Sequence, residues 1–194
     1  MALTNDRDLA EYMMMLRSHG ITRAPEKFVG GERLSQAPFP PWYYEQQLLG
    51  FNFRMTDIHA ALGTSQLDRL ETYVDRRNTL AHRYDAAFRN LPLQTPFVSG
   101  ENRSAFHLYV IRLIPNRTSK TRDEVFRDMR SGGIGVNVHY QPVHLQPYYR
   151  NLGFAKGQFP EAEAFGDSAI TLPLYPELSE QQFAHVVRTL EATL

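Results

Sequence analysis

The chain has 194 residues, and its 21 lysines plus arginines balance 21 aspartates plus glutamates, so the formal net charge is zero and no basic excess is offered to nucleic acid. It has no cysteine, which excludes disulfides, thiolate metal sites and a cysteine nucleophile. The early apolar run, Tyr12 to Leu16, is too short to span a bilayer and no secretory signal precedes it, so a cytoplasmic protein of one medium domain or two small ones, with no membrane partner, is expected.

Residues 4 to 18 read as a helix. Asn5 or Asp6 caps it, Leu9, Tyr12, Met13 and Leu16 form a core-facing stripe, and Gly20 stops it. Arg17 to Arg23 is a polar exit loop, either solvated or an anion site. Residues 24 to 48 show no period. Gly30-Gly31 reads as a turn, and Pro38, Pro40 and Pro41 forbid a regular element. Trp42, Tyr43 and Tyr44 either pack this loop onto a core or form a stacking wall for a planar or sugar ligand. Phe51 to Arg54 is extended, Thr56 is a helix N-cap, and Asp57 puts negative charge in the first turn.

From Asp57 to Leu91 apolar residues keep a 3.6-residue period, which predicts one connecting helix about 50 Å long, with Asn78-Thr79 as a place for a kink. Residues 92–104, rich in proline, glycine and serine, read as a linker. Beyond it, Phe106 to Ile114 predicts a strand, and Thr121 or Asp123 starts a helix that Gly132-Gly133 ends. Ile134 to His139 predicts a second strand and Ile170 to Leu174 a third. Ser179 with Gln182 is a capping box for a last helix. The fold class is therefore α/β: a first part over 1–56, the helix over 57–91, the linker over 92–104 and a small α+β domain with a short sheet over 105–194.

Chemistry has two places to sit. One is the helix start at 49–63, where polar groups can meet an anion. The other is the strand exit from Val138 to Tyr149, which carries His139, His144 and a cluster of tyrosines. Each histidine is either a hydrogen-bonded loop residue or a ligand contact. A metal-dependent hydrolase using His107, His139 and His144 is an alternative, without recognisable ligand spacing. No nucleophile elbow or glycine-rich phosphate loop occurs, so the residues alone name no reaction.

Four stretches nevertheless carry a resemblance: Gly50 to Gly63, Leu16 to Arg23, Pro41 to Gln46 leading into Leu49-Gly50, and Gly135 to Tyr149. Together they resemble the DegT/DnrJ/EryC1/StrS nucleotide-sugar aminotransferases, pyridoxal-phosphate enzymes of aspartate-aminotransferase type. They are most similar to the branch that aminates a UDP-linked 4-keto-6-deoxy-N-acetylhexosamine on the route to pseudaminic acid. The resemblance implies the C-terminal portion of a fold-type I enzyme: a remnant of the large domain, the linking helix and the small domain. It implies a homodimer, glutamate as amino donor, and a cofactor phosphate reached by Asn52 from the neighbouring subunit. It further implies that His139 approaches the sugar and that Arg23, Trp42 and Tyr43 border the sugar nucleotide. His59 stands where glutamine or asparagine is more usual. The family's Schiff-base lysine lies in a Ser-x-His-Pro-x-Lys type stretch, and none of Lys27, Lys120 and Lys156 has those neighbours. A chain without that lysine is expected to bind but not to transaminate, which leaves a non-catalytic binding or dimerisation module as the second reading.

Overall fold

The computed structural model describes residues 2–29 and 39–194. The Gly30-Gly31 turn and Pro38 lie outside the described residues. The chain forms two compact units, Met1–Ser65 and Gln66–Leu194.

The smaller unit begins with α1 (Arg7–Arg17), whose first turn is closed by the Asp6 side chain accepting from the Leu9 N–H at 3.0 Å. Gly20 ends the exit turn with φ of 72°, and a Cβ there would run into the Leu48 carbonyl. The turn then joins the segment that precedes the second helix. β1 (Ile21–Thr22) pairs antiparallel with β2 (Glu45–Gln46). His19 N–H donates to Phe51, Phe51 N–H to Leu16 and Phe53 N–H to Arg17.

Thr56 caps α2 (Asp57–Leu67) as its residue type predicts, accepting from the His59 N–H at 3.3 Å. The stripe expected to face a core does not. Neither α1 nor α2 has a buried residue. Among the described residues this unit offers them a ladder of two-residue strands and no opposing layer.

The expected single helix over 57–91 is two helices. α3 (Leu70–Ala87) starts anew after a turn at Asp68-Arg69 rather than kinking at Asn78-Thr79. α3 belongs to the larger unit, where Leu80, Ala81 and Tyr84 are fully buried. The sheet there is antiparallel, in the order β3 (Leu93–Gln94), β4 (Tyr109–Leu113) and β5 (Ala169–Leu172). Helices α4 (Arg122–Ser131) and α7 (Glu180–Thr193) touch each other, and α4 touches β5. Both open on capping boxes, Thr121 with Glu124 and Ser179 with Gln182. Between them lie a 3₁₀ turn (Val143–Leu145), α5 (Pro147–Asn151) and α6 (Pro160–Ser168). Tyr84 centres the core, its ring 4.5 Å from Phe183, 5.0 Å from Tyr109 and 5.2 Å from Phe88.

The strand expected over Ile134 to His139 does not form; only Asn137 pairs, with Thr171. Two local bonds divert its backbone. Val136 N–H donates to Ile134, and Val138 N–H donates to the Asn137 side chain at 2.8 Å. Among the described residues no helix is long and apolar enough to cross a membrane.

Candidate functional site

In the smaller unit the alternation of an extended chain divides residues 51–54 into two faces. Phe51 and Phe53 stack at 4.9 Å on one side, both exposed. Asn52 and Arg54 share the other, where Arg54 Nε donates to Asn52 Oδ1 at 3.2 Å. The Asn52 backbone is fixed by its bridge to Ser18. Among the described residues the Asn52 Nδ2 has no acceptor, so a rigidly placed amide offers its N–H groups to an external oxygen.

Arg54 also lines a cleft of about 610 Å³ with His19, Thr22, Arg23 and Lys27. The cleft thereby brings Arg23, at the end of the exit loop, together with Arg54. Tyr43 and Trp42 touch edge-on, their centroids 6.3 Å apart, but differ in burial. Tyr43 joins Phe28 and Phe39 in an aromatic cluster, with centroids 5.0 and 5.3 Å away, and its hydroxyl donates to Glu45 Oε1 at 3.1 Å. Trp42 is 67% exposed. The aromatic triplet thus supplies both packing and an open face.

His139 belongs to the larger unit. Asn137 Oδ1 is taken by the Val138 N–H, which turns Asn137 Nδ2 towards His139 Nε2 at 3.4 Å. So oriented, Nδ1 carries the proton and donates to Thr171 Oγ1 at 2.8 Å. Tyr140, 70% exposed, sets its ring edge-on to the His139 ring at 4.7 Å. His144 is buried against Glu163, Nε2 to Oε1 at 2.9 Å. Among the described residues no group of three or more His, Cys, Asp or Glu side chains could hold a metal ion. Sequence reasoning missed Asn137, Glu163 and Thr171. Glu163 and Thr171 meet histidines 19 and 32 residues away, and Asn137, though only two residues from His139, stands in a stretch that reads as a plain strand.

The described residues fit one edge of pyridoxal phosphate and not its ring. Asn52 can meet a phosphate oxygen. Lys27 Nζ is instead engaged by Glu11 at 2.5 Å and Lys120 Nζ by Asp128 at 2.8 Å. Lys156 lines an exposed cleft beside Arg150 that contains no carboxylate for a pyridinium nitrogen.

The chain matches the model of the DegT/DnrJ/EryC1/StrS aminotransferase family over residues 1–191. It is 36% identical over 193 residues to the spore coat polysaccharide biosynthesis protein SpsC of Bacillus subtilis, covering 98% of this chain and 48% of that protein. It superimposes on the putative sugar aminotransferase Spr1654 of Streptococcus pneumoniae in its PMP form with a TM-score of 0.82 at 29% identity, covering 98% of this chain and 46% of that one. The Helicobacter pylori aminotransferase PseC, involved in pseudaminic acid biosynthesis, gives 0.80 at 26% identity, covering 98% and 47%. The mixed helix and sheet therefore correspond to part of an α/β aminotransferase fold, and the chain spans about half the length of these relatives.

Proposed function

Because the chain belongs to the DegT/DnrJ/EryC1/StrS aminotransferase family, we propose that it is the C-terminal part of a cytoplasmic, homodimeric, pyridoxal-phosphate-dependent enzyme. That enzyme aminates a keto sugar nucleotide of the UDP-4-keto-6-deoxy-N-acetylhexosamine type, with glutamate as donor, for surface-glycan biosynthesis. The observation that carries this reading is the family match along nearly the whole chain, which includes the motif from Gly50 to Gly63.

Asn52 serves the cofactor phosphate of the neighbouring subunit; its fixed backbone and outward amide support that role. His139, held by Thr171 and Asn137, meets the sugar, and the exposed Tyr140 beside it widens the contact. Arg23 supplies positive charge, and Trp42 and Tyr43 an aromatic border, for the sugar nucleotide. The bound cofactor supplies the electron sink for amino transfer. This chain's residues bind and orient, and none of its three lysines stands in for the Schiff-base lysine. The chain alone is therefore a binding module without turnover.

The test supplies purified chain with pyridoxal phosphate, glutamate and the UDP-4-keto sugar, and reads amino-sugar product by mass spectrometry. No product is expected from the chain alone. Product is expected from a longer polypeptide of the same reading frame that adds the lysine segment. A frame that encodes no such segment, or a longer polypeptide that leaves the sugar unchanged, overturns the enzyme reading. Turnover by the chain alone overturns the assignment of incompetence.

A further inference from the structure

Glu163 is a buried carboxylate that the proposed function does not use. Its Oε1 takes the His144 Nε2 at 2.9 Å and the backbone N–H groups of Gly157 at 2.7 Å and Phe159 at 3.4 Å. The His144 ring lies 4.8 Å from that of Phe159. These bonds, that from His144 foremost, hold the Glu163 carboxyl below the usual range, as an ionised acceptor of several donors should be. Glu163 sits on α6, which passes into β5 with no intervening residue.

The segment from His139 to His144 runs antiparallel along that helix and strand and touches them three times. His139 bonds to Thr171. Pro142 rests on the bare α-carbon of Gly166, where an added Cβ would come 2.6 Å from Pro142 Cδ. His144 bonds to Glu163. Between these contacts Tyr140 and Val143 stay exposed. Asn137 Nδ2 also meets His139 Nε2 at 3.4 Å, and Gln146 Nε2 donates to Gln141 Oε1 at 3.3 Å on the exposed side. The segment's own backbone contributes the 3₁₀ bond from Leu145 N–H to Pro142.

We propose that Glu163, Gly166 and Thr171 form a rail that sets the conformation of residues 139–144, with Glu163 the positioning residue through which His139 and Tyr140 are presented in one arrangement. The presentation of these two side chains to a sugar rests on the reading given above. The rail itself does not. All three donors share Oε1, so Glu163→Gln keeps one oxygen for them but removes its charge; each bond loses its charge assistance, and the 3₁₀ turn and the 157–159 loop are held less tightly to α6.

The experiment uses the whole 194-residue chain with ¹⁵N-labelled histidine and follows the ring signals by NMR. Glu163→Gln is expected to shift and broaden the signals of His139, a residue that Glu163 does not touch, as well as those of His144, while near-UV circular dichroism stays native. Glu161→Gln, on the same helix, is expected to leave His139 as it is. His139 signals unchanged in a folded Glu163→Gln chain overturn the rail.

A second measurement needs no variant. In the unaltered chain the Gly157 N–H is expected to exchange with solvent at least tenfold more slowly than the exposed Lys156 N–H, and equal rates overturn the rail. Addition of UDP-N-acetylglucosamine separates the two ideas. A His139 response in the unaltered chain, weakened severalfold in Glu163→Gln, supports both. The absence of any response in the unaltered chain overturns the sugar contact alone.

Discussion

Tyr84→Phe isolates one hydrogen bond at the centre of the larger unit. The Tyr84 hydroxyl donates to the Pro173 carbonyl at 3.0 Å, while its ring packs between Phe88, Tyr109 and Phe183. Phenylalanine keeps the ring and leaves the part-buried carbonyl without that donor, a loss of about 1.5 kcal/mol. A unit of about 130 residues unfolds with an entropy near 0.27 kcal/mol/K, so the melting temperature should fall by about 5 °C. Burial, more than the neighbouring Tyr175, pushes the Tyr84 hydroxyl above the ordinary phenol range. A raised folded value means that the contribution is complete below the unfolded value, about 10, and is lost as pH rises beyond it. The gap between parent and variant should therefore close in alkali; Tyr109, raised chiefly by its own burial and by Asp85, is present in both proteins. Thermal scans by near-UV circular dichroism from pH 7 to 11 read both effects. A melting temperature within 1 °C of the parent at neutral pH, or a gap that widens in alkali, refutes the reasoning.

Three further outcomes are expected. Glu163, held below the ordinary carboxyl range chiefly by His144, contributes stability that is complete above the unfolded value near 4.3 and lost as pH falls through the folded one. Acid titration of Glu163→Gln should consequently show a flatter loss of stability below about pH 4, and a slope equal to the parent's would show that the pair carries no linkage. Met129→Ala, at a fully buried position on α4, should cost about 2–5 kcal/mol in urea denaturation, and a cost under 1 kcal/mol would mean that the core collapses around the gap. Leu49, Phe51, Phe53, Met55, Ile58 and Leu62 are all exposed, so the chain should self-associate at micromolar concentration, and a clean monomer in sedimentation velocity would count against this.

Local chemistry made much of the larger unit legible. Side chains at Thr121 with Glu124, and at Ser179 with Gln182, cap within one turn, so their helices are written in adjacent residues. β4 follows from its run of β-branched and aromatic residues. What stayed hidden leaves no mark in residue type or period. Asn137 takes its neighbour's N–H and ends the expected second strand, a competition that β-propensity does not register. The helical period crosses Asp68-Arg69 without a proline or glycine to mark the break. The apolar stripe of α1 was legible as a stripe, but periodicity cannot say whether a covering layer exists. Of the site, the resemblance pointed to Asn52 and His139, and the structure adds what holds them: Ser18 and Arg54 for one, Asn137 and Thr171 for the other.

The seamless passage from α6 into β5 makes this stretch intolerant of changes in length. One residue inserted at Ser168-Ala169 would turn the strand over, send Thr171 to the opposite side of the sheet and put Ile170 in its place. A deletion would put Leu172 there instead, and either change would rotate Glu163 by about 100° about the helix axis relative to the strand. The loop from Ser99 to Ser104 could absorb either change by lengthening or shortening its turn. Natural variation in length should thus collect at that loop and be purged from the helix–strand junction, where spelling can drift but the count of letters cannot.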